Sequence, residues 1–181
     1  MATDAQGNIY VAGHFEGTAD FNPSRRRTFN LTAIGDAGDP FVAKYSPDGG
    51  LFWAVHVGLQ GLTPGRRDLT ANALTADRAG NVYLAGHFER TVDFDPGAGV
   101  SNLVAGANAG GDAFLLALDP AGRFRYANRL PTPGTRGPDG ILSGIGAALA
   151  TDAAGHVYLA SRIKDQPDLA PDHTNTVLTK F

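Results

Sequence analysis

The feature that most constrains this chain is a motif of twelve residues that occurs three times. It reads D-x-x-G-N-[IV]-Y-[VL]-A-G-H-F in residues 4–15 and 77–88, and a divergent copy occupies residues 152–163. The copies begin 73 and 75 residues apart. Self-similarity at a fixed period is the signature of a repeat architecture, in which each unit buries its apolar faces against its neighbours. The chain is therefore expected to fold as three similar units in tandem.

Two further blocks follow the motif in the same order in each unit. The first has the form D-F-[DN]-P and occupies residues 20–23 and 93–96, with a weaker copy in residues 168–171. The second is largely apolar and occupies residues 39–45, 112–118 and 175–181. The segment between the motif and this last block is about 12 residues shorter in the third unit. The framework is thus repeated, and the connecting segments vary.

The second unit is complete and has the clearest strand pattern. Its short apolar segments are separated by clusters of Gly, Pro, Asp and Asn, which is typical of antiparallel strands joined by tight turns. The predicted strands are Ala71–Ala76, Asn81–Phe88, Ala113–Asp119 and Phe124–Leu130. The turns at 77–81 and 119–122 place Gly where a hairpin loop requires a positive φ angle.

The predicted strands are apolar on both faces. In the second unit Val82, Leu84 and Phe88 alternate with Tyr83 and Ala85, which is typical of a sheet covered on both sides. The 24 glycines and 11 prolines are spread along the chain and suit the many tight turns of an all-β fold. The sequence therefore predicts an all-β fold, a β-propeller-type array of about three four-stranded antiparallel blades.

These blocks resemble the SBBP-type β-propeller repeats of bacterial surface and secreted proteins, which are similar to NHL blades. The resemblance rests on the motif, on D-F-[DN]-P, on D-[AP]-F-[VL] and on a terminal strand such as residues 51–55, and it covers nearly the whole chain. It implies that the strand before the D-x-x-G-N turn lines a central channel and that the strand after D-P-x-G lies outermost. It also implies an extracellular or cell-surface location, and it carries no single catalytic motif.

The repeats assign residues 1–181 to one partial or open propeller domain. The first blade is expected over about 1–59, the second over about 70–130 and the third over about 143–181. The third blade stops after its third strand and lacks an outer strand, which leaves an unpaired edge. We therefore expect the chain to associate with further blades of a longer chain, with other copies of itself, or with a strand from a neighbour.

Composition narrows the possible functions. The net charge is −3 and the largest basic cluster, residues 25–27, has only three residues, so no nucleic-acid partner is expected. The chain has no cysteine, which excludes disulfides and thiolate metal sites. No apolar stretch approaches the roughly 18 residues of a membrane span, and no leader follows Met1. We expect no membrane span, and any export signal would belong to sequence not present here.

Paired acidic residues are candidate calcium ligands. Asp93 and Asp95, with Asp20 at the equivalent position of the first unit, would place carboxylates on one face of an extended segment, where they could hold Ca²⁺ together with carbonyl oxygens. The alternative is a structural turn, because Asn22 replaces the second carboxylate in the first unit and Ala170 in the third. Apart from calcium, no cofactor is expected.

Several repeated polar residues have structural explanations. The aspartates that open the motif, at positions 4, 77 and 152, are expected to accept backbone hydrogen bonds in the turns. The tyrosines at positions 10, 83 and 158 are expected to pack between units rather than stack on sugars. His14 and His87 are expected in the core or at a rim, because a whole blade separates them and Arg162 stands at the third position.

No catalytic residue is assigned. The chain contains no G-x-S-x-G elbow, P-loop or dinucleotide fingerprint. Arg125, which stands where the first unit has Phe52, is a polar residue found in one unit alone, and one such residue does not define a site. Asn30 opens the sequon Asn30-Leu31-Thr32 and is a candidate for N-glycosylation.

Two hypotheses about function follow. The first is a non-catalytic repeat module that binds a protein or carbohydrate through the variable segments 16–38 and 89–111, or builds a surface assembly by association through its open blade edges. The second is a fragment of a propeller enzyme, a hydrolase or lyase, whose site is completed by missing blades or a second subunit. The fold alone does not decide between them.

Overall fold

The computed structural model describes residues 1–34, 38–58, 69–106, 111–130, 146–163 and 175–181. Within these ranges the regular structure consists of β-strands alone, which confirms the predicted all-β class. The same ranges contain no helix long and apolar enough to cross a membrane. The weaker D-F-[DN]-P copy at 168–171, with Ala170, and His173 lie outside them.

The described residues form fifteen strands. They are β1 (Ala2–Thr3), β2 (Ile9–Phe15), β3 (Thr18–Asp20), β4 (Asn30–Thr32), β5 (Asp39–Tyr45), β6 (Leu51–His56), β7 (Leu69–Ala76), β8 (Val82–Phe88), β9 (Thr91–Asp93), β10 (Asn102–Val104), β11 (Asp112–Leu118), β12 (Phe124–Leu130), β13 (Gly146–Thr151), β14 (Val157–Ile163) and β15 (Asn175–Lys180). In the second unit the ends of the four predicted strands agree with the structure to within two residues.

Each sequence unit contributes one antiparallel sheet. The first sheet has the order β1-β2-β5-β6, the second β7-β8-β11-β12, and the third, within the described residues, β13-β14-β15. Apart from the short strands β3, β4, β9 and β10, sheet order follows chain order. The predicted four strands per unit are therefore confirmed for the first two units, and three of them are described in the third.

Two hairpins were not predicted. β3 pairs with β4 and β9 pairs with β10, inside the segments that the sequence indicated only as variable. Their strands are three residues long, too short to show alternation. A phenylalanine that directly follows the first strand of each hairpin packs on the adjoining sheet. Between ring centroids, Phe21 lies 4.7 Å from Phe41, and Phe94 lies 4.8 Å from Phe114.

The D-x-x-G-N turns form as predicted. In the second unit Gly80 has φ +83°, a left-handed conformation that glycine adopts without steric cost. The Asp77 Oδ1 atom accepts the backbone N–H of Asn81 at 2.9 Å. The same backbone bond forms between Asp4 and Asn8 at 2.9 Å. The structural role predicted for the motif aspartates is confirmed.

The second sheet is covered on both faces. Every residue of β8 and β11 is buried. One face forms a core with the first sheet, around Leu84, Phe114 and Leu116. The other face forms a core with the third sheet, around Tyr83 and Leu115. Because burying one such side chain contributes about 1.5–3 kcal/mol, contact between units is a main source of stability, and the predicted burial of both strand faces is confirmed for this sheet.

Polar contacts fix how neighbouring sheets align. The Tyr10 hydroxyl donates to the backbone oxygen of Gly80 at 3.3 Å, and the Thr151 hydroxyl donates to the backbone oxygen of Ala76 at 3.2 Å. The Trp53 indole N–H donates to the backbone oxygen of Pro120 at 3.0 Å. Each bond joins one unit to the next, so the predicted packing of the repeated tyrosine between units is confirmed for Tyr10.

Candidate functional site

The calcium candidates lie in the two hairpins. Asp20 Oδ1 accepts the backbone N–H groups of Asn22 and Phe29 at 2.9 and 2.8 Å. Asp93 Oδ1 accepts those of Asp95 and Ser101 at 3.1 and 2.7 Å. These bonds close the hairpin loops. They form the structural turn that the sequence left open as the alternative to a calcium site.

Asp95 belongs to the same loop but holds a different part of it. Its Oδ1 accepts the backbone N–H of Gly97 at 2.7 Å. Within the described residues no three His, Asp or Glu side chains are grouped so that they could hold a metal ion. Calcium binding by Asp20, Asp93 and Asp95 stays a prediction, and the geometry that is present is that of a capped loop.

The opening turns of the three units meet around one cavity. It measures about 350 Å³ and is lined by residues 3–5, 76–78 and 151–153. These are equivalent positions in the three repeats, so the cavity lies where β1, β7 and β13 end side by side. Its lining includes four ionisable side chains, those of Asp4, Asp77, Arg78 and Asp152, which makes it a candidate site.

Each of these aspartates belongs to a hydrogen-bonded group that we call the turn triad. In the second unit Asp77 Oδ2 accepts the Asn81 side-chain amide at 2.7 Å and the Tyr83 hydroxyl at 3.1 Å. The first unit repeats the triad with Asp4, Asn8 and Tyr10, at 2.8 and 2.9 Å.

The third unit keeps the triad with one substitution. His156 takes the place of asparagine, and its Nδ1 lies 2.8 Å from Asp152 Oδ2, which also accepts the Tyr158 hydroxyl at 3.0 Å. No role was assigned to His156 from the sequence. Its position four residues after the motif aspartate was the signal that identifies it as a triad member.

In the first and third units the triads keep their carboxylates ionised. Hydrogen bonding to His156 is the largest cause of a pKa of Asp152 far below its usual range. Burial opposes ionisation of Asp4, yet the hydrogen bonds from Asn8 and Tyr10 outweigh it and lower the pKa of Asp4. A carboxylate that is strongly acidic and already accepts several bonds is a poor general base at neutral pH. The triads therefore act as structural anchors beside the cavity.

The triad tyrosine gives a prediction about alkaline pH. Burial, with the Asp77 carboxylate beside the hydroxyl, raises the pKa of Tyr83 from 10.0 to about 12. Because the folded state favours the protonated phenol, this contribution to stability is complete below pH 10 and is lost as the pH rises from about 10 to about 12. We expect an ultraviolet difference titration of wild type and Tyr83→Phe to show a phenol that ionises near pH 12. A difference spectrum that appears near pH 10 in the folded protein would contradict the triad. The same titration of the chain in denaturant is the reference for an unperturbed phenol.

The histidines of the motif differ in burial. His14 is half-buried, and its Nε2 atom lies 3.5 Å from the backbone nitrogen of Ala71 in the next sheet. His87 is buried, at 3% exposed. These positions agree with the core or rim role that the sequence favoured over a shared metal site.

An aspartate at the start of β5 and of β11 is paired with a basic residue of the next strand, which was not predicted from the sequence. Asp39 Oδ2 lies 3.0 Å from His56 Nε2 in the first unit, and Asp112 pairs with Arg129 in the second. Burial lowers the pKa of His56, and Asp39 partly offsets this. The signal was present: in the first two units the aspartate that opens the third repeated block is followed 17 residues later by a basic residue, whereas Asn175 holds the aspartate position in the third unit.

The exposed loops of the two hairpins are the second candidate site. The first loop carries Arg25, Arg26 and Arg27, all exposed, and the neighbouring Asn30 of the glycosylation sequon is exposed as well. The second loop carries no arginine and exposes Val100. Arg125 is also exposed, on β12, and belongs to neither loop nor cavity.

The comparisons with known proteins do not assign the chain. A scan against protein-family models finds no matching family, and a search of curated proteins finds no matching relative.

Proposed function

We propose that this chain is a non-catalytic β-propeller-type repeat module that works at the cell surface or outside the cell, by binding or by building an assembly. The resemblance to SBBP-type repeats supports the location and the propeller arrangement. In that arrangement β1, β7 and β13 would line the central channel, and the cavity is lined by residues at the ends of these three strands. Sheet order that follows chain order supports the same arrangement.

One observation carries the binding role: the two hairpins have the same frame and different exposed loops. Asp20 and Asp93 hold the two loops by the same pair of backbone bonds. Between the anchors the first loop is basic, with three arginines, and the second is rich in glycine. A constant frame that presents variable exposed loops is the usual design of a binding module.

The cavity gives less support to the enzyme hypothesis. Its three aspartates are repeat-equivalent and each is engaged in a turn triad. A catalytic site at a propeller mouth needs groups that differ between blades, because the two partners in acid–base chemistry require different environments. The repeat equivalence of these three residues favours a structural role.

The arginine loop can be tested with polysaccharides as probes. We expect immobilised polyuronate, an acidic polymer, to bind the wild-type chain more tightly than a neutral glucan does. The triple variant R25A/R26A/R27A should bind the polyuronate about tenfold more weakly, since each exposed charge pair contributes about 0.2–1 kcal/mol. Its thermal stability should be unchanged because exposed substitutions usually stay within about 0.5 kcal/mol.

The control for this experiment is Val100→Ser, which changes the exposed residue of the other loop and should leave polyuronate binding unaltered. Equal binding by wild type and the triple variant would contradict binding at this loop. Release of oligosaccharides from either polymer would contradict the non-catalytic assignment.

A further inference from the structure

We infer that two copies of this chain dock head to tail, the third sheet of each copy against the first sheet of the other, to form a closed pair. The inference rests on the proposed propeller-type array and names the partner that its two end faces fit. We call the outer face of the first sheet the leading face and the outer face of the third sheet the trailing face.

The leading face is apolar and incompletely covered. Ile9, Val11 and Phe41 lie on it and are half-buried. Their repeat equivalents in the second sheet are buried beneath the first sheet, at 0–1% exposed: Val82, Leu84 and Phe114. The leading face therefore repeats a surface that another sheet covers elsewhere in the same chain.

The trailing face shows the complementary pattern. Tyr158 and Ala160 lie on it and are half-buried. The equivalent tyrosines Tyr10 and Tyr83 are 0% and 4% exposed, because the following sheet covers each of them. The trailing face is thus the surface that each earlier sheet uses to contact the next one.

A lysine beside the tyrosine makes the trailing face similar to the face of the first sheet that contacts the second sheet. The Lys44 Nζ atom lies 5.1 Å from the centre of the Tyr10 ring, and the Lys180 Nζ atom lies 5.7 Å from that of Tyr158. The second sheet has Ala117 at this position. The face of the first sheet that carries Tyr10 and Lys44 docks on a second-sheet surface whose repeat equivalent is the leading face. The trailing face, which carries Tyr158 and Lys180, should therefore dock on the leading face of a second copy.

The internal contacts also predict the polar register of this docking. Tyr10 donates to Gly80 of the following unit, so Tyr158 would donate to the backbone oxygen of Gly7 in the second copy. Thr151 donates to Ala76 of the preceding unit, so Thr3 of the second copy would donate to the backbone oxygen of Thr151.

Head-to-tail contacts close into a ring when the rotation between units allows it. Two copies supply six sheets, within the range of roughly four to eight blades that propellers use. The contact between copies joins separate chains, whereas the internal contacts join sheets of one chain, so the pair should dissociate on dilution.

The test is the solution mass of the 181-residue chain by analytical ultracentrifugation over a wide range of concentration, with circular dichroism and thermal unfolding on the same samples. We expect the mass to rise from one chain to two and then stay constant. Val11→Asp, which places a charge on the leading face, should keep the mass of one chain at every concentration and retain the β-sheet spectrum. Val100→Asp, a charge on an exposed loop, should dimerise as wild type does.

A matched pair of tyrosine variants tests the register. Tyr158→Phe should weaken the dimer about threefold to tenfold, the effect of one hydrogen bond. Tyr83→Phe loses the same triad bond but lies inside the chain, and should leave dimerisation unchanged. A folded wild-type chain that stays monomeric, or a mass that rises beyond two copies, would overturn the closed pair and leave the proposed module intact. A chain without cooperative unfolding would overturn the array on which both proposals rest.

Discussion

Gly86→Ala should lower the free energy of unfolding by about 3 kcal/mol, at the upper end of the cost of overpacking a core. A Cβ atom at Gly86 would lie 1.8 Å from the backbone oxygen of Thr70 and 2.9 Å from the Phe114 ring. The backbone of β7 cannot move away without breaking its ladder with β8, which already contains a bulge between Ala71 and Ala73. Urea unfolding followed by circular dichroism measures this loss.

The repeat supplies the control, since Gly13 is the equivalent residue in the first sheet. There the three atoms nearest to an added Cβ atom all belong to the Phe41 ring, the closest at 3.0 Å, and this ring can shift because Phe41 is half-buried. Gly13→Ala should therefore cost much less than Gly86→Ala. Equal losses for the two variants would contradict the close approach of β7 to β8.

Phe114→Ala should cost about 3–5 kcal/mol, as expected for removing a fully buried aromatic side chain. Phe114 is 0% exposed and lies 4.8 Å from Phe94 and 6.4 Å from Phe88, between ring centroids. The first sheet covers it, so the cavity left by the substitution would form between the two sheets. Thermal and urea unfolding in dilute solution measure the loss.

Phe41→Ala is the matched variant, because Phe41 holds the same repeat position on the leading face. In dilute solution it should cost about 1–2 kcal/mol, since less of its apolar surface is removed from water. It should also weaken dimerisation, which Phe114→Ala should affect only through loss of folding. If Phe41→Ala in dilute solution costs as much as Phe114→Ala, the first sheet does not cover the second as described.

Much of the framework could be predicted because its signals are local and repeated. The turn at 77–81 needs glycine in a left-handed conformation and an aspartate that caps the backbone, and both residue types recur at fixed positions. The strands that follow are apolar on both faces, which predicted the burial observed for β8 and β11. These features depend on neighbours in sequence, and a single chain with internal repeats displays them more than once.

The hairpins could not be predicted from local pattern. β3 and β4 are three residues each and are separated by a loop of nine residues, so neither alternation nor a two-residue turn marks them. They are stabilised by contacts distant in sequence, such as Phe21 on Phe41 and the Tyr45 hydroxyl on the backbone oxygen of Phe21 at 3.0 Å. The aspartate at the end of β3 caps this loop, which was one of the two alternatives that the sequence left open.

The candidate site was predicted in its parts and not in its arrangement. The sequence assigned the motif aspartates to turns and the tyrosines to packing, but it did not join them into a triad. That connection needs the strand geometry that brings the Tyr83 hydroxyl within hydrogen-bond distance of Asp77, six residues earlier. The Asp39 and His56 pair required knowledge of which strands are neighbours, which the pairing of β5 with β6 supplies.

Hydrogen–deuterium exchange, followed by mass spectrometry in dilute solution, tests most directly whether the three units stack face to face. Amides of the central strands β8 and β11 should exchange most slowly, since both faces of the second sheet are covered. The equivalent strands β2 and β5 of the first sheet, whose leading face is only partly covered, should exchange faster. Equal protection of the two sheets, or faster exchange in β8 and β11 than in β2 and β5, would contradict the stacked array.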